Sequence, residues 1–299
     1  FPGQGSQAVG MGKSLYDSSE EAKRLFQAAD DVLGYPLSRL CFEGPEEELR
    51  LTQNTQPALL VVSTMAYRLL DREPAVAAGH SLGEYSALVA AGALGFEAAV
   101  SLVHKRGRYM QEAVPVGTGA MAAVLGLPYE ELAKALAQVS GGVVQIANWN
   151  SPDQIVISGD KAAVEEALRL AKPLKSVMLP VSAAFHSPLM KPAEDRLAMD
   201  LDAAAFADPR FPIINNVEAR RITTAAEARE GLKRQVSRPV LWNKAMETLR
   251  DEGIEVFVEV GTGKVLSGLM KRIGRGWPHP FVLANVEDGE SLARAAAVL

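Results

Sequence analysis

Val76 to Leu94 reads VAAGHSLGEYSALVAAGAL, and this stretch decides the fold. A short apolar, β-prone run ends at Gly79. His80-Ser81-Leu82-Gly83 follows, and then a run of good helix formers. One reading is a tight turn, because glycines relieve crowding at such corners and serine often caps a helix. The other is a nucleophile elbow. Gly79-x-Ser81-x-Gly83 fits the pattern G-x-S-x-G, in which a strained strand-to-helix turn exposes the serine hydroxyl. A strand before and a helix after are the context that pattern requires. A serine nucleophile also needs a base to take its proton, so the choice rests on the remainder of the chain.

The chain has 299 residues, which suits one large domain with an insertion, or two domains. Its net charge of −5 argues against nucleic acid as the main partner while allowing local basic patches. The single cysteine, Cys41, cannot form an internal disulfide. No apolar run has the length of a membrane span and no signal peptide is visible, so neither a membrane partner nor secretion is expected. A reducing, cytoplasmic setting fits best. The sequence opens at Phe1 without a methionine, and we expect a short piece upstream. FPGQGSQ, residues 1–7, reads as the end of a strand followed by a glycine-rich loop.

Periodicity places amphipathic helices at 18–33 and 56–71, the second starting after Thr55 as a cap. Residues 75–79 read as a buried strand, 82–92 as the elbow helix, and 96–114 as a helix ended by Pro115. Then the rhythm changes. Strand 119–127, helix 129–139, strand 143–148, an NSPD turn, strand 154–158, helix 160–171 and strand 174–181 give β-α-β-β-α-β, the ferredoxin-like order. Short strands at 213–216, 256–260 and 281–284 then alternate with helices, which implies a largely parallel sheet covered by helices. The fold class expected is α/β: a core of residues 1–117 and 183–299 holding the elbow, with a small α+β subdomain inserted at 118–182. A cleft between the two is the expected site.

Four histidines could supply the base. His80 sits inside the elbow, where its backbone is constrained away from Ser81. His104 lies in the 96–114 helix and His279 between prolines near the C-terminus. His186, in VSAAFHSPLM, lies where the inserted segment rejoins the core, beside the expected cleft. That position favours His186, with a backbone carbonyl able to orient it where no carboxylate stands out. Arg106, in HKRGRYMQEA, is either a solvated helix arginine or a held one. Gly107 beside it lets another backbone approach closely, and a held arginine pairs bidentately with a carboxylate.

Two glycine patterns, EVGTGKVLSG and GQGSQAVGMG, fail the spacing of dinucleotide and P-loop motifs. Cysteines and histidines are too few and scattered for a metal cluster, and no cofactor is expected.

Together the motifs resemble one family. FPGQGSQAVGMG at the start, TQPALL at 55–60, GHSLGEYSAL at 79–88, RGRYMQEAVPVGTGAM at 106–121, NSPDQIVISG at 150–159, FHSPLM at 185–190 and EVGTGKVLSGLMKR at 259–272 are similar, in order, to malonyl-CoA:acyl carrier protein transacylase. The resemblance spans essentially the whole chain. It implies an α/β-hydrolase-like core with an inserted ferredoxin-like subdomain, and ping-pong transfer of malonyl from malonyl-CoA to the phosphopantetheine thiol of acyl carrier protein.

It also implies roles. Ser81 matches the nucleophile and His186 the general base. The N–H groups of Gln4 and Leu82 match the oxyanion hole, and Arg106 matches the residue that pairs with the malonyl carboxylate. Gln56 and Asn150 match pocket residues. Phe185 before the histidine, and Leu82 after the nucleophile, match the malonyl rather than the methylmalonyl option of related polyketide domains. Leu241, before the tryptophan of PVLW, stands where some relatives have a glutamine and is expected to orient His186 through its carbonyl. Lys191, Lys271 and Arg272 are candidates for a basic surface facing an acidic carrier. Two other readings remain open: a serine hydrolase or thioesterase with the same elbow, and a non-catalytic subunit that docks acyl carrier protein.

Overall fold

The corner at Ser81 is entered from a very short strand, because the chain turns away at Gly79 after two paired residues. The computed structural model describes residues 1–115, 117–181 and 183–299. Within them run nine strands: β1 (Ala77–Ala78), β2 (Gly119–Leu125), β3 (Val144–Ser151), β4 (Gln154–Asp160), β5 (Lys175–Met178), β6 (Ile213–Ile214), β7 (Arg221–Ile222), β8 (Val256–Val260) and β9 (Val282–Val286). The architecture is mixed α/β. β1 pairs parallel with β6, Ala77 opposite Ile213, and β6 pairs antiparallel with β7. β8 and β9 form a separate parallel pair. The expected parallel pairing is therefore present, but in two pieces rather than one continuous sheet. β6 stops at Ile214 because the chain turns back at once, with Asn215 N–H donating to the Arg220 carbonyl at 3.1 Å.

β2 to β5 make an antiparallel sheet in the order β3-β4-β2-β5. The helices Tyr129–Leu136 and Lys161–Ala171 cover it, burying Leu132, Val164 and Ala167 against Ile146, Ile155 and Ile157. β3 carries two irregularities, at Ala147 and at Asn150, and such bulges re-aim side chains. Its outer edge is stitched to the rest of the molecule at Val240, whose N–H donates to the Ala147 carbonyl at 2.8 Å.

The helix Thr52–Leu70 runs through the main core and is buried nearly all round. It begins one turn before the expected start and contains Pro57 in its first half. An interior proline leaves the carbonyl four residues earlier without its N–H partner. Here that carbonyl belongs to Gln53, and His104 Nδ1 lies 2.9 Å from it. The helix survives its proline because a neighbouring helix supplies the missing donor. That neighbour, Phe96–Glu112, crosses so closely that a Cβ on Gly107 would lie 2.6 Å from Gln53 Cα. Among the described residues no helix is long and apolar enough to cross a membrane.

Candidate active site

Ser81 has φ of 51°, a left-handed conformation that non-glycine residues rarely adopt. Three bonds hold it there. Its N–H donates to Asn216 Oδ1 at 2.7 Å, Asn216 Nδ2 donates to the Gly79 carbonyl at 2.7 Å, and Gln235 Nε2 donates to the Ser81 carbonyl at 3.0 Å. The flanking glycines are required by contact. A Cβ on Gly79 would lie 1.9 Å from the Gly83 carbonyl group, and one on Gly83 would lie 2.1 Å from the Phe1 carbonyl oxygen.

His186 also has positive φ, 55°, and is almost fully buried. Its Nε2 lies 2.8 Å from Ser81 Oγ, and its Nδ1 lies 2.8 Å from the Gln235 carbonyl. A carbonyl can only accept, so Nδ1 carries the proton and Nε2 presents a lone pair to the serine hydroxyl. Burial, reinforced by the Arg106 charge, pushes the imidazole down to about 3, so it is neutral near pH 7.

Arg106 is 2% exposed, far from the solvated alternative. Its Nη1 donates to Gln56 Oε1 at 2.7 Å, and its Nη2 donates to Gln235 Oε1 at 2.9 Å and to Ser81 Oγ at 3.1 Å. Its Cζ lies 5.6 Å from the Tyr85 ring centre. Gln56 is in turn tied to Thr52 Oγ1 at 3.1 Å, and Thr52 donates to the Gln4 side chain at 2.7 Å. The N–H groups of Gln4 and Leu82 donate to no acceptor among the described residues. Phe185 is buried in the main core beside His186.

His80 faces the other way. Its Nε2 lies 2.8 Å from Asn150 Oδ1, which the second irregularity of β3 aims at it. Asn150 thus touches His80 rather than Ser81. His104 serves the Gln53 carbonyl, and His279 is exposed. Among the described residues no three His, Cys, Asp or Glu side chains gather as metal ligands. A cavity of about 520 Å³ lies between β1, β8 and the helix Trp242–Asp251, lined by apolar residues such as Trp242, Met246 and Phe257. None of Ser81, His186 or Arg106 lines it.

The acyl transferase domain family matches residues 1–291. The malonyl CoA-acyl carrier protein transacylase of Bacillus subtilis (strain 168) is 50% identical over 283 residues, covering 92% of this chain and 89% of that protein. The chain belongs to this transacylase family. The acyl carrier protein S-malonyltransferase structure from Vibrio cholerae is 46% identical with a TM-score of 0.95, covering 99% of this chain and 98% of that one. A malonyl-transacylase in complex with its type II PKS acyl-carrier protein is 43% identical with a TM-score of 0.95, covering 100% of this chain and 98% of that one.

One expectation within this family needs correction. Leu241 does not hold His186; the Gln235 carbonyl does. Gln235 is the last residue of the helix Ala225–Gln235, and the last carbonyls of a helix have no intrahelical donor. Its oxygen is therefore free for the histidine. The Leu241 carbonyl instead starts the next helix and accepts from Ala245 N–H at 2.9 Å. Sequence reading also passed over Asn216 and Glu84. The helix end at Gln235 was a visible signal, whereas nothing local marks Asn216, which lies 135 residues from Ser81.

Proposed function

We propose that this chain transfers malonyl from malonyl-CoA to the phosphopantetheine thiol of acyl carrier protein, through an ester on Ser81, and so supplies malonyl units for fatty acid synthesis. The observation that carries this reading is that Ser81 Oγ is shared by a neutral histidine at 2.8 Å and a buried guanidinium at 3.1 Å. The histidine suits a nucleophile; the guanidinium suits an acyl group that carries its own carboxylate.

The steps follow from these positions. His186 Nε2 takes the Ser81 proton as Oγ attacks the thioester carbonyl. The N–H groups of Gln4 and Leu82, without protein acceptors, receive the oxyanion, a stabilisation of about 3–4 kcal/mol per donor in a comparable site. CoA leaves as the thiol, taking the proton back from His186. The carrier thiol then gives its proton to His186 as it attacks the malonyl ester; the acyl C–O bond to Ser81 breaks, Oγ takes that proton back, and malonyl leaves as a thioester on the carrier. Arg106 binds the malonyl carboxylate, with Gln56 and Gln235 fixing its planar fork. Phe185 and Leu82 bound the acyl end of the pocket, and Asn150 fixes His80 behind it.

We also read the architecture as an α/β-hydrolase-like core, residues 1–117 and 183–299, interrupted by a ferredoxin-like subdomain at 118–182. The β-α-β-β-α-β order and the strand order β3-β4-β2-β5 support this. Residue 182, the far junction, lies outside the described residues.

The test is intact-protein mass spectrometry after brief exposure to malonyl-CoA. One malonyl adduct is expected, absent in Ser81→Ala. An adduct that survives in that variant removes Ser81 as nucleophile. Turnover that requires a thiol acceptor separates the transferase from a hydrolase with the same elbow.

A further inference from the structure

Behind the reacting serine lies a carboxylate that these steps do not use. Glu84, in the first turn of the helix Gly83–Ala90, is fully buried. Burying a carboxylate is costly unless it is bonded. Its Oε2 accepts from Asn216 N–H at 3.0 Å and from Gln235 Nε2 at 2.7 Å, while Oε1 has no partner among the described residues. The two donors are the two residues that build the site. Asn216 clamps the elbow at Gly79 and Ser81, and Gln235 carries His186 on its carbonyl and Arg106 on its side chain.

An amide has one donor end and one acceptor end. The donor end of Gln235 faces the Glu84 carboxylate and the Ser81 carbonyl; the acceptor end faces Arg106, which can only donate. Glu84 Oε2 is the nearest acceptor to that donor end, at 2.7 Å, and a carboxyl oxygen accepts whether or not the group is ionised, so Glu84 sets the direction of the amide and the amide sets the fork. The direct partners of Arg106 are all neutral, and the Glu84 carboxyl, when ionised, favours the guanidinium charge.

We propose that Glu84 is a positioning residue for malonyl transfer, holding the donor end of the Gln235 amide so that the acceptor end aims Arg106 at the malonyl carboxylate. This rests on the reading of Arg106 given above. Glu84 touches no reacting atom; its bond to Asn216 N–H bears on the elbow and so on both substrates alike, whereas its hold on the Gln235 amide is what the malonyl-to-acetyl ratio reads.

The experiment measures Ser81 acylation rates from malonyl-CoA and from acetyl-CoA in wild type, Glu84→Ala, Glu84→Gln, Glu84→Asp and Arg106→Ala. Glu84→Ala is expected to lower the malonyl-to-acetyl ratio about 10-fold, the scale of losing a hydrogen bond to a charged group. Glu84→Gln keeps an acceptor oxygen in place and should stay within about threefold of wild type. Glu84→Asp, which withdraws the carboxylate by one methylene, should fall between and serves if the alanine variant does not fold. Glu84→Ala or Glu84→Asp with an unchanged ratio, while Arg106→Ala loses it, overturns the proposal alone. Glu84→Gln as poor as Glu84→Ala also overturns it, because the amide would then not be the link. A ratio unchanged in Arg106→Ala overturns the Arg106 reading itself, and this proposal with it.

Discussion

Arg106 Nη2 lies 3.1 Å from Ser81 Oγ, so the proposed selecting cation and the proposed nucleophile share a hydrogen bond. Acetyl-CoA offers that cation nothing. Malonyl-CoA offers a carboxylate, so binding exchanges neutral partners for a charged one. Truncating one member of such a buried pair costs about 2–5 kcal/mol. Arg106→Ala should therefore lower kcat/KM for malonyl-CoA by about 30- to several-thousand-fold, while acetyl-CoA is used equally well or better. Arg106→Lys should recover only part of the selectivity, since an ammonium lacks the fork. Paired kcat/KM values, with folding checked by circular dichroism, decide it. Equal losses for both substrates would make Arg106 a structural residue.

His186→Ala should slow Ser81 acylation by about 10²- to 10⁴-fold, the scale of acid–base help. His104→Ala should leave acylation much less affected but should destabilise the protein, because the Gln53 carbonyl below Pro57 loses its donor. A lost hydrogen bond at such a half-buried carbonyl costs about 0.5–1.5 kcal/mol. Rapid-quench acylation rates and urea midpoints separate the two outcomes.

The pH behaviour follows from opposite shifts. His186 is pushed down to about 3 in the folded protein, so in unliganded enzyme it stays a competent base far below the usual histidine range. Its contribution to stability is complete above the unfolded value near 6.5 and is lost as pH falls from there toward 3. Burial raises Glu84 to about 7, against the pull of its Gln235 and Asn216 bonds and of Arg106, with Glu218 adding to the rise. Its contribution has the other sign: stability is lost as pH rises from about 4.5 toward 7. We expect acylation kcat/KM to show no inflection at 6.5 from His186, and any inflection near 7 to vanish in Glu84→Gln. An inflection near 6.5 that persists in that variant would contradict the depressed histidine.

The three candidates for a carrier-facing surface divide unequally. Lys191 is already paired with Glu194 at 2.5 Å and Asp195 at 2.9 Å. Lys271 and Arg272 are exposed and make no ion pair among the described residues. Reversing Lys271 and Arg272 together should raise the carrier KM and weaken its salt dependence, leaving self-acylation by malonyl-CoA intact. Lys191→Glu should do less. A carrier KM that does not move in the double variant excludes this face.

Much of the site was legible because its signals are local. The elbow glycines and Gly107 beside Arg106 announce a backbone requirement within a few residues, and His186 stands out by its place where the inserted segment rejoins the core. What was illegible is what arrives from afar. Asn216 reaches the elbow across the β1–β6 pairing, and Glu84 reads as an ordinary charge in the first turn of a helix until its burial is known. Leu241 misled because sequence position stood in for geometry; the free carbonyl belongs to a helix end, six residues earlier. The start of the 52–70 helix was misplaced for a related reason, since the donor that makes Pro57 tolerable sits on another helix.

Both residues proposed to exchange the proton, Ser81 and His186, sit at positive φ. A side chain there costs about 1–2 kcal/mol that glycine would not incur. The fold is thus under tension at these two residues, and the surrounding bonds from Asn216 and Gln235 act as a brace. Two dead enzymes should reveal it: Ser81→Gly and Ser81→Ala both lack the nucleophile, yet the glycine variant should be the more stable by about 1 kcal/mol. Reactivity at this corner is kept at the expense of the chain's own comfort.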